Sequence, residues 1–130
     1  MKKYIVLLVC VLGVSLFFSG CGDNPNAEAS EKDYTNLAKC LTEKGAKMYG
    51  AVTCSHCNNQ KKAFGEAFKY IKYYECDPRT NLEDAKQCIE DGIQAYPTWR
   101  FSDGSEVLGA HTPEALGLRV GCEMPGEKSV

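Results

Sequence analysis

The chain has 130 residues, of which 44% are hydrophobic and 25% are charged, and its formal net charge is −2 at pH 7. This length fits one folded domain with additional terminal segments. The weakly acidic balance, without any nucleic-acid-binding motif, argues against DNA or RNA as a partner.

Positive charge followed by an apolar run predicts an export signal over residues 1–20. Lys2 and Lys3 precede a run that ends at Phe18, which is shorter than the about 20 apolar residues of a spanning helix. The Phe-Ser-Gly-Cys motif that ends at Cys21 resembles the lipobox of bacterial lipoproteins, although its first residue is usually aliphatic. The resemblance implies cleavage before this cysteine and lipid attachment to it. An uncleaved anchor and a signal cut elsewhere are alternatives, and all three place the domain outside the cytoplasm.

The rest of the chain divides into a spacer, a domain and a tail. Residues 22–32 are polar, contain Pro25 and lack hydrophobic periodicity, which is typical of a flexible linker. Together with the lipidated cysteine before it, this linker forms a tether over residues 21–32. We assign the folded domain to residues 33–122 and a C-terminal tail to residues 123–130.

Hydrophobic periodicity in the first half of the domain predicts a helix, a strand, a second helix and a second strand. The first helix ends at Gly45, and the strand over residues 47–52 runs into the second helix. Phe64 and Phe68 share the apolar face of that helix, and the strand over residues 71–76 follows it. The first helix has apolar residues at i, i+3, i+4 and i+7, namely Tyr34, Leu37, Ala38 and Leu41.

A third helix is predicted after Asp77-Pro78, which breaks the preceding strand. Thr80 and Glu83 have the spacing of a capping box, and Gly92 suits the end of the helix. Its predicted apolar face consists of Leu82, Ala85, Cys88 and Ile89.

The last part of the domain predicts a hairpin and a fourth helix. Strands over residues 98–101 and 106–108 are joined by a turn rich in Ser, Asp and Gly, and Thr112-Pro113 then starts a helix that ends near Gly121-Cys122. One parallel crossover followed by a terminal hairpin predicts an α/β domain with a mixed central sheet flanked by helices. This order of elements matches the thioredoxin-like fold.

Two thiols separated by two residues, Cys54-Ser55-His56-Cys57, lie at the predicted start of the second helix. Free N–H groups and the helix dipole there stabilise a thiolate, so Cys54 is the candidate nucleophile and Cys57, one turn further, the candidate resolving thiol. Ser55 and His56 are expected to tune the pair. Positive charge on His56 would favour the reduced form and make the disulfide more oxidising. Alternatively, His56 is an exposed helix residue with little electrostatic effect.

The step Tyr96-Pro97-Thr98 lies between a predicted helix and a predicted strand. It resembles the second half of the reactive site in thioredoxin-like proteins. The resemblance implies a cis bond before Pro97, and it implies that Tyr96 and Pro97 bind an extended substrate segment beside Cys54. The alternative is an ordinary trans proline at the start of a strand.

A wider resemblance covers residues 37–122. Its stretches are Leu37-Ala38-Lys39-Cys40-Leu41, Lys47-Met48-Tyr49-Gly50-Ala51, Cys54-Ser55-His56-Cys57, Glu75-Cys76-Asp77-Pro78, Cys88-Ile89-Glu90-Asp91-Gly92-Ile93 and Tyr96-Pro97-Thr98-Trp99. These resemble the thioredoxin-like domain that accompanies bacterial vitamin K epoxide reductase homologues, here without fused membrane helices. The resemblance implies an oxidase that passes a disulfide to exported cysteine-containing proteins, without cofactor or metal. It also implies reoxidation by a quinone-linked membrane oxidoreductase of the vitamin K epoxide reductase type.

Two positions depart from the pattern. Thr53 stands where the family usually has an aromatic residue before the first cysteine. Met48 stands six residues before that cysteine, where many thioredoxin-like enzymes place a buried acid that shuttles the proton of the inner thiol. Proton transfer from Cys57 must therefore use water or another group.

The chain has eight cysteines. Cys10 leaves with the export signal and Cys21 carries lipid, so four remain besides the reactive pair. An even number in an exported domain fits a disulfide framework. Four cysteines allow three pairings. We expect Cys76–Cys88, which joins the end of a strand to the next helix, together with Cys40–Cys122, which joins the first helix to the last.

Other functions remain open at this point. Cys54, His56 and Cys57 could bind a metal together with Cys76 or His111, although a structural zinc site usually has two ligand pairs. A lipoprotein whose cysteines are all structural is a second alternative. If the chain is an enzyme, it could also be a membrane-tethered disulfide reductase or isomerase.

Overall fold

The computed structural model describes residues 32–126. The predicted export signal, the lipidation site at Cys21 and all of the spacer except Lys32 lie outside the described residues. Residues 127–130 of the predicted tail lie outside them as well.

Four α-helices, one 3-10 helix and four strands make up the described part of the chain. None of its helices is long and apolar enough to cross a membrane. In chain order the elements are α1 (Thr35–Glu43), β1 (Lys47–Gly50), α2 (Ser55–Phe64), the 3-10 helix (Gly65–Tyr70), β2 (Lys72–Glu75), α3 (Leu82–Glu90), β3 (Thr98–Arg100), β4 (Glu106–Leu108) and α4 (Pro113–Val120).

The four strands form one mixed sheet in the order β2-β1-β3-β4. β1 runs parallel to β2 and antiparallel to β3, and β3 runs antiparallel to β4. Met48 on the central strand β1 pairs with Tyr73 on one side and with Trp99 on the other. The predicted fold class is confirmed, because a four-stranded mixed sheet flanked by helices is consistent with a thioredoxin-like fold.

Successive residues of β1 point to opposite faces of the sheet and divide the core in two. On one face Met48 and Trp99, both fully buried, pack with residues of α1, α2 and α4. On the other face Tyr49 packs with Cys76 and Cys88. The larger core therefore supports α2, the helix that begins directly after Cys54.

The second helix is shorter than the sequence predicts. α2 ends at Phe64, because Gly65 follows with a positive φ of 55° that ends the α-helical turn. The chain continues as the 3-10 helix, so Phe68 lies outside α2. Its ring still approaches that of Phe64, with 6.4 Å between the centroids.

The third helix also differs from the prediction. Its N-cap is Asn81, whose side chain accepts a hydrogen bond from the Asp84 N–H, so the predicted capping box at Thr80 is wrong by one residue. Leu82 and Ile89 were expected on the apolar face but are 59% and 79% exposed. The buried side of α3 is formed by Ala85 and Cys88, and the disulfide at Cys88 holds that side against the sheet.

Residues 32–126 contain two disulfides, Cys40–Cys122 and Cys76–Cys88, the same pairs that the sequence analysis expects. The first disulfide joins Cys40 in α1 to Cys122, two residues after the end of α4, on one face of the sheet. The second joins the end of β2 to α3 on the other face. Each disulfide thus fixes one helical layer.

The two disulfides should contribute unequally to stability. In the chain-entropy model, the sequence separation of 82 between Cys40 and Cys122 gives about 4 to 5 kcal/mol, and the separation of 12 between Cys76 and Cys88 gives about 3 kcal/mol. We expect the C40A/C122A variant to lose more unfolding free energy in urea than C76A/C88A. A larger loss for C76A/C88A would contradict this order, and a non-reduced peptide linking Cys40 to Cys76 or Cys88 would refute the pairing.

Candidate active site

Cys54 occupies the N-cap position of α2. It follows β1 after a short loop and has extended backbone angles, φ −87° and ψ 114°. Its Sγ accepts a hydrogen bond from the Cys57 N–H at 3.2 Å. The sulfur thus faces the free N–H groups and the positive end of the helix dipole, where negative charge is stabilised.

Cys57 lies one helical turn further and is fully buried. It packs against the last residue of β1, because a Cβ on Gly50 would lie only 2.9 Å from Cys57 Sγ. Burial, followed by the hydrogen bond with Cys54, raises the pKa of the Cys57 thiol to about 12. At neutral pH this thiol therefore holds its proton.

The two cysteines are free thiols in the structure and have different surroundings. Cys54 is partly exposed and lies at a helix terminus, whereas Cys57 is enclosed by the core. This difference suits a reaction in which Cys54 forms a mixed disulfide with a partner molecule and Cys57 then attacks that mixed disulfide.

Tyr96 and Pro97 lie next to Cys54, as the sequence analysis expects. The Tyr96–Pro97 bond is cis. The thiol of Cys54 contacts the carbonyl oxygen of Tyr96 at 3.7 Å. Tyr96 is 40% exposed and Pro97 is buried, while the Thr98 hydroxyl donates to the Ala95 carbonyl at 2.8 Å and closes the turn. The structure therefore brings a backbone carbonyl to the reactive sulfur; binding of substrate there stays a prediction.

Ser55 and His56 occupy the first turn of α2, and both side chains are exposed. His56 directly precedes Cys57 in the chain, so its ring lies on the same helical turn as the reactive sulfur. The tuning role of these two residues stays a prediction.

Two residues beneath the site escaped the sequence analysis. Tyr73 is partly buried and Glu75 is 5% exposed, and the Tyr73 hydroxyl donates to Glu75 Oε2 at 2.8 Å. The other carboxylate oxygen accepts from the N–H groups of Val52 and Asp77 at 3.1 and 3.0 Å. The signal was present in the period-2 pattern of β2, which places Glu75 on the same face as Ile71 and Tyr73.

Gln60 is a second buried polar residue that the sequence analysis missed. Its side-chain oxygen accepts from the Trp99 indole at 3.3 Å and from the His111 N–H at 2.7 Å, and its amide donates to the His111 carbonyl at 2.8 Å. Gln60 therefore ties the segment before α4 to α2. Its spacing from Cys57 and Phe64 on one helical face indicates burial.

A metal site at the Cys54–Cys57 motif would need Cys76 or His111 as a further ligand, and both are engaged elsewhere. Cys76 is bonded to Cys88, and the His111 ring contacts the Leu108 carbonyl at 3.0 Å. Within residues 32–126, no three His, Cys, Asp or Glu side chains are grouped as metal ligands.

Comparison with known proteins finds similarity to a plant oxidoreductase. The chain is 46% identical over 89 residues to thiol-disulfide oxidoreductase LTO1 of Arabidopsis thaliana. The match covers 63% of this chain but 24% of that protein, so the chain spans about a quarter of the length of this curated relative. No protein-family model matches the chain.

Alkylation should distinguish the two thiols. We expect iodoacetamide at pH 7 to label Cys54 more than ~100-fold faster than Cys57 in mildly reduced protein, because Cys57 is buried and its pKa, about 12, is far above the usual thiol value. Labelling of Cys57 should rise as the pH approaches that value. Peptide mass spectrometry over time measures both sites. Equal labelling of the two cysteines at pH 7 would contradict the assignment.

Proposed function

We propose that this chain is an extracytoplasmic thiol–disulfide oxidoreductase that passes a Cys54–Cys57 disulfide to exported proteins. One observation carries the proposal: a partly exposed thiol caps a helix, and a fully buried thiol with a raised pKa lies one turn away. The similarity to a plant thiol-disulfide oxidoreductase supports the same chemistry.

The exchange proceeds through a mixed disulfide at Cys54. A substrate thiolate attacks Cys54 Sγ, the Cys54–Cys57 bond breaks, and the Cys57 sulfur leaves as a thiolate and takes up a proton. A second substrate thiolate then attacks the substrate sulfur, and Cys54 leaves as a thiolate stabilised by the helix terminus. The substrate loses two electrons and gains a disulfide, and the two cysteines become thiols.

Recognition of the substrate is assigned to the turn beside Cys54. The Tyr96 carbonyl lies 3.7 Å from the reactive sulfur, and the side chains of Tyr96 and of Val52, two residues before Cys54, are exposed. An extended segment that carries the substrate cysteine would lie along this turn, with its backbone against the backbone of Tyr96. Such contacts are independent of side-chain identity and therefore suit many exported proteins.

A location outside the cytoplasm is part of the proposal. The basic and apolar N-terminus and the lipobox-like motif at Cys21 support export and lipid anchoring. Two disulfides in the domain support an oxidising compartment. In this proposal residues 1–20 are a signal peptide, residues 21–32 a tether and residues 33–122 the redox domain.

The tether gives a reason for a membrane partner. A lipid anchor with a short linker holds the domain near the bilayer and raises the effective concentration of a membrane protein. We assign recharging of the Cys54–Cys57 disulfide to a quinone-linked membrane oxidoreductase of the vitamin K epoxide reductase type. The resemblance of residues 37–122 to domains that accompany such proteins supports this assignment.

Trapping experiments test the roles of the two cysteines. The Cys57→Ser variant should accumulate a mixed disulfide with an oxidised model protein through Cys54, because the resolving thiol is absent. The Cys54→Ser variant should trap little, since Cys57 is buried. Non-reducing electrophoresis measures the adducts. Equal trapping by both variants would show that the assigned order of attack is wrong.

The reduction potential tests the direction of electron flow. If the domain is an oxidase, equilibration with glutathione should place the Cys54–Cys57 pair well above about −270 mV, the value of thioredoxin, and nearer about −120 mV. The His56→Ala variant should have a more negative potential, because a positive group that favours the thiolate is lost. A wild-type potential near the thioredoxin value would favour a reductase supplied with electrons from the membrane.

A further inference from the structure

The buried thiol of Cys57 needs a route for its proton. Before its sulfur can attack a mixed disulfide at Cys54, the S–H proton has to leave a side chain that is fully buried. The hydrophobic cluster that encloses Cys57 includes Met48, Phe64 and Trp99, none of which accepts a proton. The high pKa of Cys57, about 12, makes unassisted ionisation rare at neutral pH.

Tyr73 is the polar side chain that borders this thiol. A Cβ built on Gly50 would lie 2.9 Å from Cys57 Sγ and 3.2 Å from Tyr73 Cε2, so the sulfur and the tyrosine ring meet over this glycine. Cε2 is bonded to the ring carbon that carries the hydroxyl, so the ring edge that borders Gly50 is the edge next to the hydroxyl. The hydroxyl in turn donates to Glu75 Oε2 at 2.8 Å.

Glu75 is a buried carboxylate held without a cation. Within residues 32–126 it takes part in no ion pair, and its partners are the Tyr73 hydroxyl and the N–H groups of Val52 and Asp77. A buried carboxylate that lacks a counter-charge is costly and is typical of functional sites.

Three other charged side chains lie near Tyr73 and Glu75, and none of them bonds to the Glu75 carboxylate. Lys61 Nζ lies 4.0 Å from the centroid of the Tyr73 ring, on its face, and favours negative charge nearby. Asp77 is paired with Arg79 at 2.7 Å, and Asp84 accepts from the Glu75 N–H at 3.2 Å. Glu75 is therefore the carboxylate that accepts the hydrogen bond of the Tyr73 hydroxyl.

We propose that Tyr73 and Glu75 form a proton relay for Cys57. When Cys57 resolves a mixed disulfide, its S–H bond breaks and the proton passes to Tyr73 Oη while the tyrosine proton passes to Glu75 Oε2. The Cys57 sulfur then bonds to Cys54 Sγ, and the electron pair of the broken S–S bond leaves on the partner sulfur as a thiolate. In the opposite direction, Cys57 leaves as a thiolate and regains its proton from Glu75 through Tyr73.

The properties of Tyr73 fit this role. Burial raises the pKa of the Tyr73 hydroxyl, and so do the hydrogen bond to Glu75 and the negative charge of that carboxylate. The hydroxyl therefore stays protonated. It relays a proton only by accepting the proton of Cys57 while it gives its own proton to Glu75. The hydrogen bond to Glu75 fixes the hydroxyl for this transfer, and both residues lie on the same strand, β2.

The relay rests on the proposed thiol–disulfide activity, and a two-phase reaction separates the two proposals. Reduced protein is mixed with dithiobis(nitrobenzoic acid), which releases one coloured thiol when Cys54 attacks and a second when Cys57 resolves the mixed disulfide. We expect Glu75→Gln and Tyr73→Phe to keep the first phase and to slow the second about 100-fold at pH 7, the lower end of the usual range for a lost general base. The deficit should shrink as the pH rises, because hydroxide then deprotonates Cys57 directly.

Matched variants control for structure. Tyr74→Phe changes the adjacent residue of β2, whose ring packs on the opposite face with Tyr49, and Glu66→Gln changes an exposed carboxylate of the 3-10 helix. Both should keep wild-type rates in both phases. Equal slowing of both phases in Glu75→Gln would show that Glu75 only holds the loop at Val52, and would overturn the relay.

Two further outcomes are decisive. A normal second phase in either Glu75→Gln or Tyr73→Phe would also overturn the relay, because both links are required. If the wild-type protein itself fails to release a second thiol, the proposed oxidoreductase function fails, whatever the variants do.

Discussion

The packing of Cys57 against Gly50 is the constraint on which the rest of the site depends. The sulfur fills the space where any other residue at position 50 would place its Cβ, so the inner thiol is pressed onto the end of β1. This contact buries one sulfur and leaves the other at the rim of the helix. From it follow the different roles of Cys54 and Cys57, the high pKa of the inner thiol and its need for a polar neighbour.

Glu75 joins this chemistry to the loops around it. One of its oxygens accepts N–H groups from the loop before Cys54 and from the segment after β2, while the other accepts the Tyr73 hydroxyl. A single carboxylate therefore fixes the loop that leads to Cys54 and holds the hydroxyl of Tyr73. Because both tasks use the same side chain, its substitution by glutamine, which keeps the size and one acceptor oxygen, is more informative than its removal.

Local patterns were enough to predict much of this molecule. The order of elements follows from periodicity, and the Cys54–Cys57 spacing and the Tyr96-Pro97 step are contiguous motifs. Glu75 and Gln60 could not be assigned in this way, since their importance depends on which residues of other elements they meet. The orientation of α3 was missed for a related reason: a disulfide, rather than the largest apolar side chains, determines which side of that short helix is buried.

The unequal exposure of the sulfur atoms has a consequence for selectivity within the molecule. Under the proposed disulfide exchange, the domain carries two bonds of the same chemical type as those of its substrates, and a neighbouring copy could attack them. Cys76 and Cys88 are each at most 7% exposed, so an incoming thiolate cannot line up with the bond between them. In the other bond Cys122 is buried and Cys40 is partly buried, which leaves attack only at Cys40. Access thus discriminates between sulfurs of like reactivity and limits rearrangement of the two crosslinks.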